Sequence, residues 1–254
     1  MRFATRLGFY AATLAFMVGC SQLPVYLAQE TVAPPAPQQA RSSERLGTQW
    51  GEGISSDVVN VDLWRVSSQP VDVIEVRYSA ANYRGRAIRE AMLAEGRIGL
   101  SILDDKNRKW ELTQDERKLY LKGNNGERYQ LFYQNYSQAT YEIVATVDGL
   151  DVLDGSSGSL SSRGYVLYPN STLLIEGFRK NQHEVAAFRF SAPRDAYAAN
   201  TEAGSSANIG VIGTAVFALN TPPPRHAPAT QQSPQTFPAD NPRSNYAPPP
   251  NYQR

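Results

Sequence analysis

Cysteine occurs once in 254 residues, at Cys20, and histidine twice, at His183 and His226. A single cysteine excludes an intramolecular disulfide, and so few soft ligands leave no zinc motif, so neither metal nor cofactor is expected. Proline is nearly missing from the middle of the chain, where only Pro70, Pro169 and Pro193 lie between Pro37 and Pro222. No apolar run reaches the roughly 20 residues that a membrane-spanning helix needs. Positive charge is not in surplus either: residues 41–220 carry 20 Lys and Arg against 22 Asp and Glu, a net charge of −2. That balance lacks the basic footprint of a nucleic-acid binder. No G-x-S-x-G nucleophile motif occurs, and the glycine-rich "GSSGSLSSRG" (155–164) lacks the lysine of a phosphate cradle. It reads as a flexible connection, and His183 in "RKNQHEV" reads as a surface histidine. The chain carries no catalytic motif and reads as non-enzymatic.

Proline is concentrated at the ends instead. Four of 17 fall between Pro24 and Pro37, and ten between Pro222 and Pro250. Segments of that kind bury too little apolar surface to offset chain entropy. The expected organisation is a leader at 1–19, a flexible tether at 20–45, a folded unit at 46–220 and a disordered Pro-rich tail at 221–254. Residues 46–115 read as a candidate N-terminal subdomain. The tail is either a solvated extension or a polyproline ligand for an aromatic groove.

The middle reads as strands. "VDVIEVRYSA" (71–80) alternates with a period of two, and "KLYLKGNNGERYQLFYQNYS" (118–137) has the pattern of a hairpin closed by Asn125-Gly126. "YEIVATVDGL", "GYVLYPNSTLLIEGF", "EVAAFRFSA" and "IGVIGTAVFAL" follow at similar spacing. The run Ile209 to Leu219 is apolar enough for a strand covered on both faces. Helical spacing of Ala87, Ile88, Ala91 and Met92 predicts one short helix over 82–96, with Arg86 and Glu90 paired on its outer face. The fold expected is all-β, an antiparallel β-sandwich with one short helical insertion, flanked by disordered Pro-rich segments.

Two groups of residues invite chemistry. Asp148, Asp151 and Asp154 in "DGLDVLDG" could offer oxygens to a hard cation. Asp-Gly at 148–149 and 154–155 also matches two turns, because aspartate caps local backbone and glycine supplies positive φ. The same aspartates, or Glu176, would have to converge with a second acid to hydrolyse a glycan. Tyrosines crowd 120–141, and exposed Tyr129 and Tyr133 would make a glycan-binding face; cross-strand packing is the competing reading. Trp64 and Trp110 read as core anchors.

The lone cysteine has a context of its own. Arg2 and Arg6 precede an apolar stretch, Leu7 to Val18, which ends in Met17-Val18-Gly19-Cys20. This resembles the lipobox of bacterial lipoproteins, with methionine where leucine is usual. The resemblance implies cleavage before Cys20, a diacylglyceryl thioether on its sulfur and a further acyl chain, such as palmitate, on its new amino group. Ser21 in place of an aspartate implies an outer-membrane destination. Residues 127–219 also resemble a stretch found in uncharacterised bacterial proteins, a likeness that implies no activity. The expectation is a lipid-anchored cell-envelope protein acting as a binding or assembly module, partnered by the membrane and by an envelope protein or glycan. The alternative is an envelope protein that binds glycan or hydrolyses glycan or peptide.

Overall fold

The structure, a computed structural model, describes residues 44–220, the two-residue strand Gln235–Thr236 and residues 246–252. The leader, Cys20, the tether to residue 43 and most of the proline tail lie outside the described residues.

In chain order the strands are β1 (Gly47–Ser55), β2 (Val59–Asn60), β3 (Asp72–Ser79), β4 (Arg86–Ile88), β5 (Ala91–Leu93) and β6 (Ile98–Leu103). Next come β7 (Leu112–Asp115), β8 (Lys118–Lys122), β9 (Arg128–Asn135), β10 (Tyr141–Val147), β11 (Leu150–Asp151) and β12 (Tyr165–Leu167). The last are β13 (Thr172–Ile175), β14 (Gly177–Arg179), β15 (Glu184–Ser191), β16 (Val211–Ala218) and β17 (Gln235–Thr236). One sheet runs β1-β15-β9-β6-β5, with β13 on β9 and β14 on β15. The other runs β2-β17-β12-β10-β16-β3-β8-β7-β4, with β11 on β10. All pairings are antiparallel except β3 with β8 and β2 with β17. The all-β sandwich expected from the alternation is therefore the architecture.

Alternation sets the core. Ile74, Val76 and Tyr78 turn inward from β3, while Val73, Glu75 and Arg77 line its outer face. Tyr129, Leu131 and Tyr133 do the same from β9. Tyr129 stacks on Phe188 at 5.3 Å and on Phe190 at 4.4 Å. Each such pair adds about 0.5–1.5 kcal/mol beyond area burial. The C-terminal half of β16 is covered on both faces, as its apolar run predicted, while Val211 and Gly213 are half-buried on the outer face. Ile212 and Val216 join the main core, and Ala215 and Phe217 form a small outer cluster with Val144. Arg65 lies 3.6 Å over the Phe217 ring and closes that cluster. Its guanidinium donates to Glu142 Oε2 and to the carbonyls of Leu160 and Ser162. The 155–164 segment is thus pinned over the sheet, in contrast to the flexible connection expected.

Three further expectations are corrected. No helix forms over 82–96. That stretch gives β4 and β5, and Met92 is 50% exposed between Ala91 at 3% and Leu93 at 1%. The alternation is a strand's, and the pairing of β5 with β6 decides it. A turn with Ala94 at φ 51° and Glu95 at φ 58° joins them. Glu90 accordingly pairs with Lys109 at 3.0 Å rather than with Arg86. The Asn125-Gly126 turn exists, but β8 and β9 do not pair: the chain crosses there from one sheet to the other. Trp64 is 60% exposed and anchors no core, whereas Trp110 stacks on Phe190 at 5.6 Å.

A buried polar chain joins the sheets. Asp148, in the β10–β11 turn at φ 54°, accepts hydrogen bonds from Thr48 N at 2.7 Å, Tyr78 Oη at 2.5 Å and Gly210 N at 2.8 Å. Thr48 Oγ1 lies 2.7 Å from Tyr78 Oη and 2.6 Å from Tyr129 Oη. Tyr78 and Asp148 belong to one sheet, Thr48 and Tyr129 to the other. Gly47 makes room, since a Cβ there would sit 2.6 Å from Ala196 Cβ and 3.3 Å from Asp148 Oδ2. Burial pushes the Asp148 carboxyl up to about 6 despite those donors. Thr48→Val keeps the shape but removes the hydroxyl that joins Tyr78 Oη and Tyr129 Oη, so it should cost about 1–3 kcal/mol in urea unfolding. Adding Tyr129→Phe should recover part of that loss; strictly additive losses would show that the hydroxyl chain carries no coupling.

Candidate functional site

The aspartates weighed as cation ligands or turn formers are occupied with local work. Asp148 serves the inter-sheet chain. Asp151 Oδ1 accepts from Leu153 N at 2.8 Å and Asp154 N at 3.3 Å, and Asp154 Oδ1 accepts from Ser156 N at 2.8 Å. No three acidic, histidine or cysteine residues among those described are grouped to hold a metal. Glu176 pairs with Arg128 at 3.1 Å. Tyr129 and Tyr133 are both 0% exposed, which removes them from any glycan-binding face. Their inward register on β9 is the reason, and Tyr133 Oη meets Thr214 Oγ1 at 2.8 Å inside the sandwich. His183 is exposed beside Asp57, with Nδ1 and Oδ1 2.8 Å apart.

The structure assembles a different site from four segments. Trp50 on β1, Phe178 on β14 and Tyr197 in the one-turn helix Tyr197–Ala199 form a mutually packed aromatic wall. Ring centroids are 4.9 Å apart for Trp50–Tyr197, 4.6 Å for Phe178–Tyr197 and 6.2 Å for Trp50–Phe178. Gly155, at the end of the Asp151 loop, borders it with φ +71°. The chain's own residues 246–252, "YAPPPNY", lie in this groove. Ala247 N donates to Arg179 O at 2.8 Å, Tyr197 Oη to Pro248 O at 2.7 Å, and Asn251 N to Asn200 O at 2.7 Å. Ala247 is 4% exposed. A Cβ on Gly155 would come within 2.8 Å of Tyr197 Oη and 2.9 Å of Ala247 Cα. This part of the tail is therefore docked, and the sequence signals for it were the Asp154-Gly155 turn and the proline run alone.

Electrostatics keep the groove in one hydrogen-bonding state. Burial, reinforced by the charge of Asp154, pushes the Tyr197 phenol up to about 12, so it remains a donor to Pro248 O at neutral pH. Arg179 is 1% exposed; its guanidinium donates to Ser56 O, to Ser56 Oγ at 3.2 Å and to Tyr165 Oη at 3.3 Å. With its side chain held inside, its carbonyl faces Ala247.

Two other concavities are open. One of about 390 Å³ lies on the outer face of the β3–β16–β10 sheet, between Val73, Arg77, Leu160 and Asn208. The other, about 410 Å³, is lined by Tyr83, Trp110, Lys122, Asn124 and Glu127. Neither brings two of the sequence-predicted acids together.

Asp151 holds the loop that carries Gly155, whose N–H donates to Asp151 O at 3.0 Å. Its Oδ2 has no hydrogen-bond partner, and burial together with the Asp154 charge raises the carboxyl to about 7. Because the folded value lies above the ordinary 3.8, the stability it contributes is full below that pH and is lost as pH rises through about 7. The swing is on the order of 4 kcal/mol. Asp151→Asn keeps the acceptor for both backbone N–H groups and removes the charge. It should flatten the fall in unfolding free energy between pH 5 and 8 and be at least as stable as the native chain at pH 8. An unaltered pH dependence would place the titration elsewhere.

Comparison with known proteins adds no name to this geometry: no protein-family model, no curated protein and no solved structure matches the chain.

Proposed function

We propose that the chain is a lipid-anchored protein of the cell envelope, held in the outer membrane through Cys20, and that its β-sandwich is a non-enzymatic binding or assembly module. The observation that carries this reading is the order of residues at the start: Arg2 and Arg6, the apolar Leu7 to Val18, then Met17-Val18-Gly19-Cys20. Two or more acyl chains make a stable anchor, whereas one gives marginal binding. Confinement to a surface then raises the local concentration of the module without any new contact. A groove that takes an extended peptide supports binding over catalysis, as does the separate engagement of Asp148, Asp151 and Glu176.

Growth of the native host with an alkyne-bearing palmitate should label the chain, and mass spectrometry should place the acyl groups on Cys20 at a new N-terminus. Cys20→Ala should abolish both label and processing. A labelled Cys20→Ala chain, or a native chain with a bare thiol, would remove the anchor and with it the envelope address.

The glycan-binding alternative has one specific support, the pocket that combines Tyr83 and Trp110 with Asn82, Asn124 and Lys122. Aromatic rings beside amides suit a sugar's apolar face and hydroxyls. On this reading Tyr83→Ala should weaken binding to envelope glycan fragments at least about tenfold in calorimetry, roughly the value of one stacking contact. Equal binding by a folded variant would leave the pocket without that role.

A further inference from the structure

We infer that the groove bordered by Gly155, Arg179, Tyr197 and Asn200 is a peptide-binding site for an extended segment in which a small residue precedes consecutive prolines, and that its ligand is this chain's own Tyr246–Tyr252, exchangeable with the same segment of a second copy.

The chemistry of the contact is that of ligand recognition. The segment donates two backbone N–H groups, from Ala247 and Asn251, to carbonyls of the domain. The three residues between them, Pro248, Pro249 and Pro250, have no N–H to leave unsatisfied. Proline also presets the extended backbone, which lowers the entropy lost on docking. The one carbonyl bonded by a side chain is that of Pro248, taken by Tyr197 Oη at 2.7 Å. Selection for a small side chain comes from the close approach of Gly155, where even a Cβ would come within 3.0 Å of the Ala247 Cβ.

The contact is also slight enough to exchange. It rests on one buried methyl side chain, the half-buried Tyr246 and Pro250, and a few hydrogen bonds, the Tyr252 hydroxyl meeting the Trp50 backbone among them, with Pro248 and Pro249 exposed. A contact of that size is held in place by its tether, which supplies an effective concentration on the order of millimolar. Nine residues, 237–245, separate β17 from Tyr246. Extended, that length reaches about 30 Å, enough for an adjacent copy. Crowding of copies on one surface would let tails swap without changing either groove. That purpose rests on the assembly reading above; the binding itself does not.

The test uses the full chain and a fluorescein-labelled peptide with the sequence of residues 244–254. Ala247→Arg should expel the chain's own segment, because an arginine cannot fit under Gly155. Fluorescence anisotropy should then show saturable peptide binding to the Ala247→Arg chain, and binding to the native chain at least about tenfold weaker, since the tethered segment competes. Tyr197→Phe added to Ala247→Arg should weaken binding about fivefold, the value of one hydrogen bond. A peptide with alanine at all three proline positions should bind more weakly than the native peptide. Should Ala247→Arg prove unfolded by near-ultraviolet circular dichroism, the native chain still decides. Excess unlabelled peptide should then accelerate amide exchange at Ala247 and Asn251. Absence of saturable binding to a folded Ala247→Arg chain, equal binding to both chains, or exchange unmoved by excess peptide would overturn the site. Peptide binding without palmitate labelling would discard the anchor and keep the groove. Labelling without peptide binding would do the reverse.

Discussion

A single carboxylate, that of Asp148, meets three donors in the space between the sheets, and much of the rest is arranged around it. Thr48 N–H comes from the start of β1, Gly210 N–H from the approach to β16, and the Tyr78 phenol from β3. Hydrophobic burial is non-directional and would tolerate one sheet sliding over the other. A buried polar chain does not, because any slip leaves an unpaired donor at about 1–3 kcal/mol. Thr48 then passes the constraint to Tyr129, whose ring lies at the centre of the aromatic stack with Phe188 and Phe190. Register and packing are thereby fixed at the same place. Gly47 supports the arrangement, since a Cβ there would clash with Ala196 and crowd the carboxylate at 3.3 Å.

The groove depends on that frame. Trp50 is on β1 and Phe178 is on β14; both strands pair with β15, and those ladders bring the two rings together in the sheet that Asp148 ties to its partner. The second acid of the same turn-rich stretch, Asp151, shapes the loop from which Gly155 faces the tail. Two aspartates that look like cation ligands in sequence thus hold backbone: one sets the sheets, the other the border of the groove. Each carries a raised carboxyl value because burial disfavours its charge, which is a consequence of these structural placements.

Where sequence reading succeeded, the signal was local. The alternation in β3 and the turns at Asp148-Gly149 and Asp154-Gly155 depend on neighbouring residues, and both are found. Where it failed, the deciding partner was distant. Ala87, Ile88, Ala91 and Met92 fit a helix by spacing, but β6 offers β5 a ladder that an isolated stretch cannot anticipate. Asn125-Gly126 has the chemistry of a hairpin turn, yet β9 finds its partners in β6, β13 and β15. Tyr129 and Tyr133 share one face of a strand by period two, but periodicity does not say which face is covered. The groove was illegible for the same reason, since residues 155, 179, 197 and 200, which border it, are far from the tail in sequence.

The sequence by itself determined that this chain is a sheet protein, where several of its turns fall and that proline is concentrated at its ends. These follow from side-chain period and backbone φ preference, properties of a few adjacent residues. Only the tertiary structure decided which strands pair, that the tyrosines face inward, that the aspartates serve backbone, and that a proline segment returns to an aromatic wall. Those outcomes rest on burial and on hydrogen bonds between residues a hundred or more positions apart, such as Thr48 with Asp148 and Ser56 with Arg179, and no local pattern encodes them.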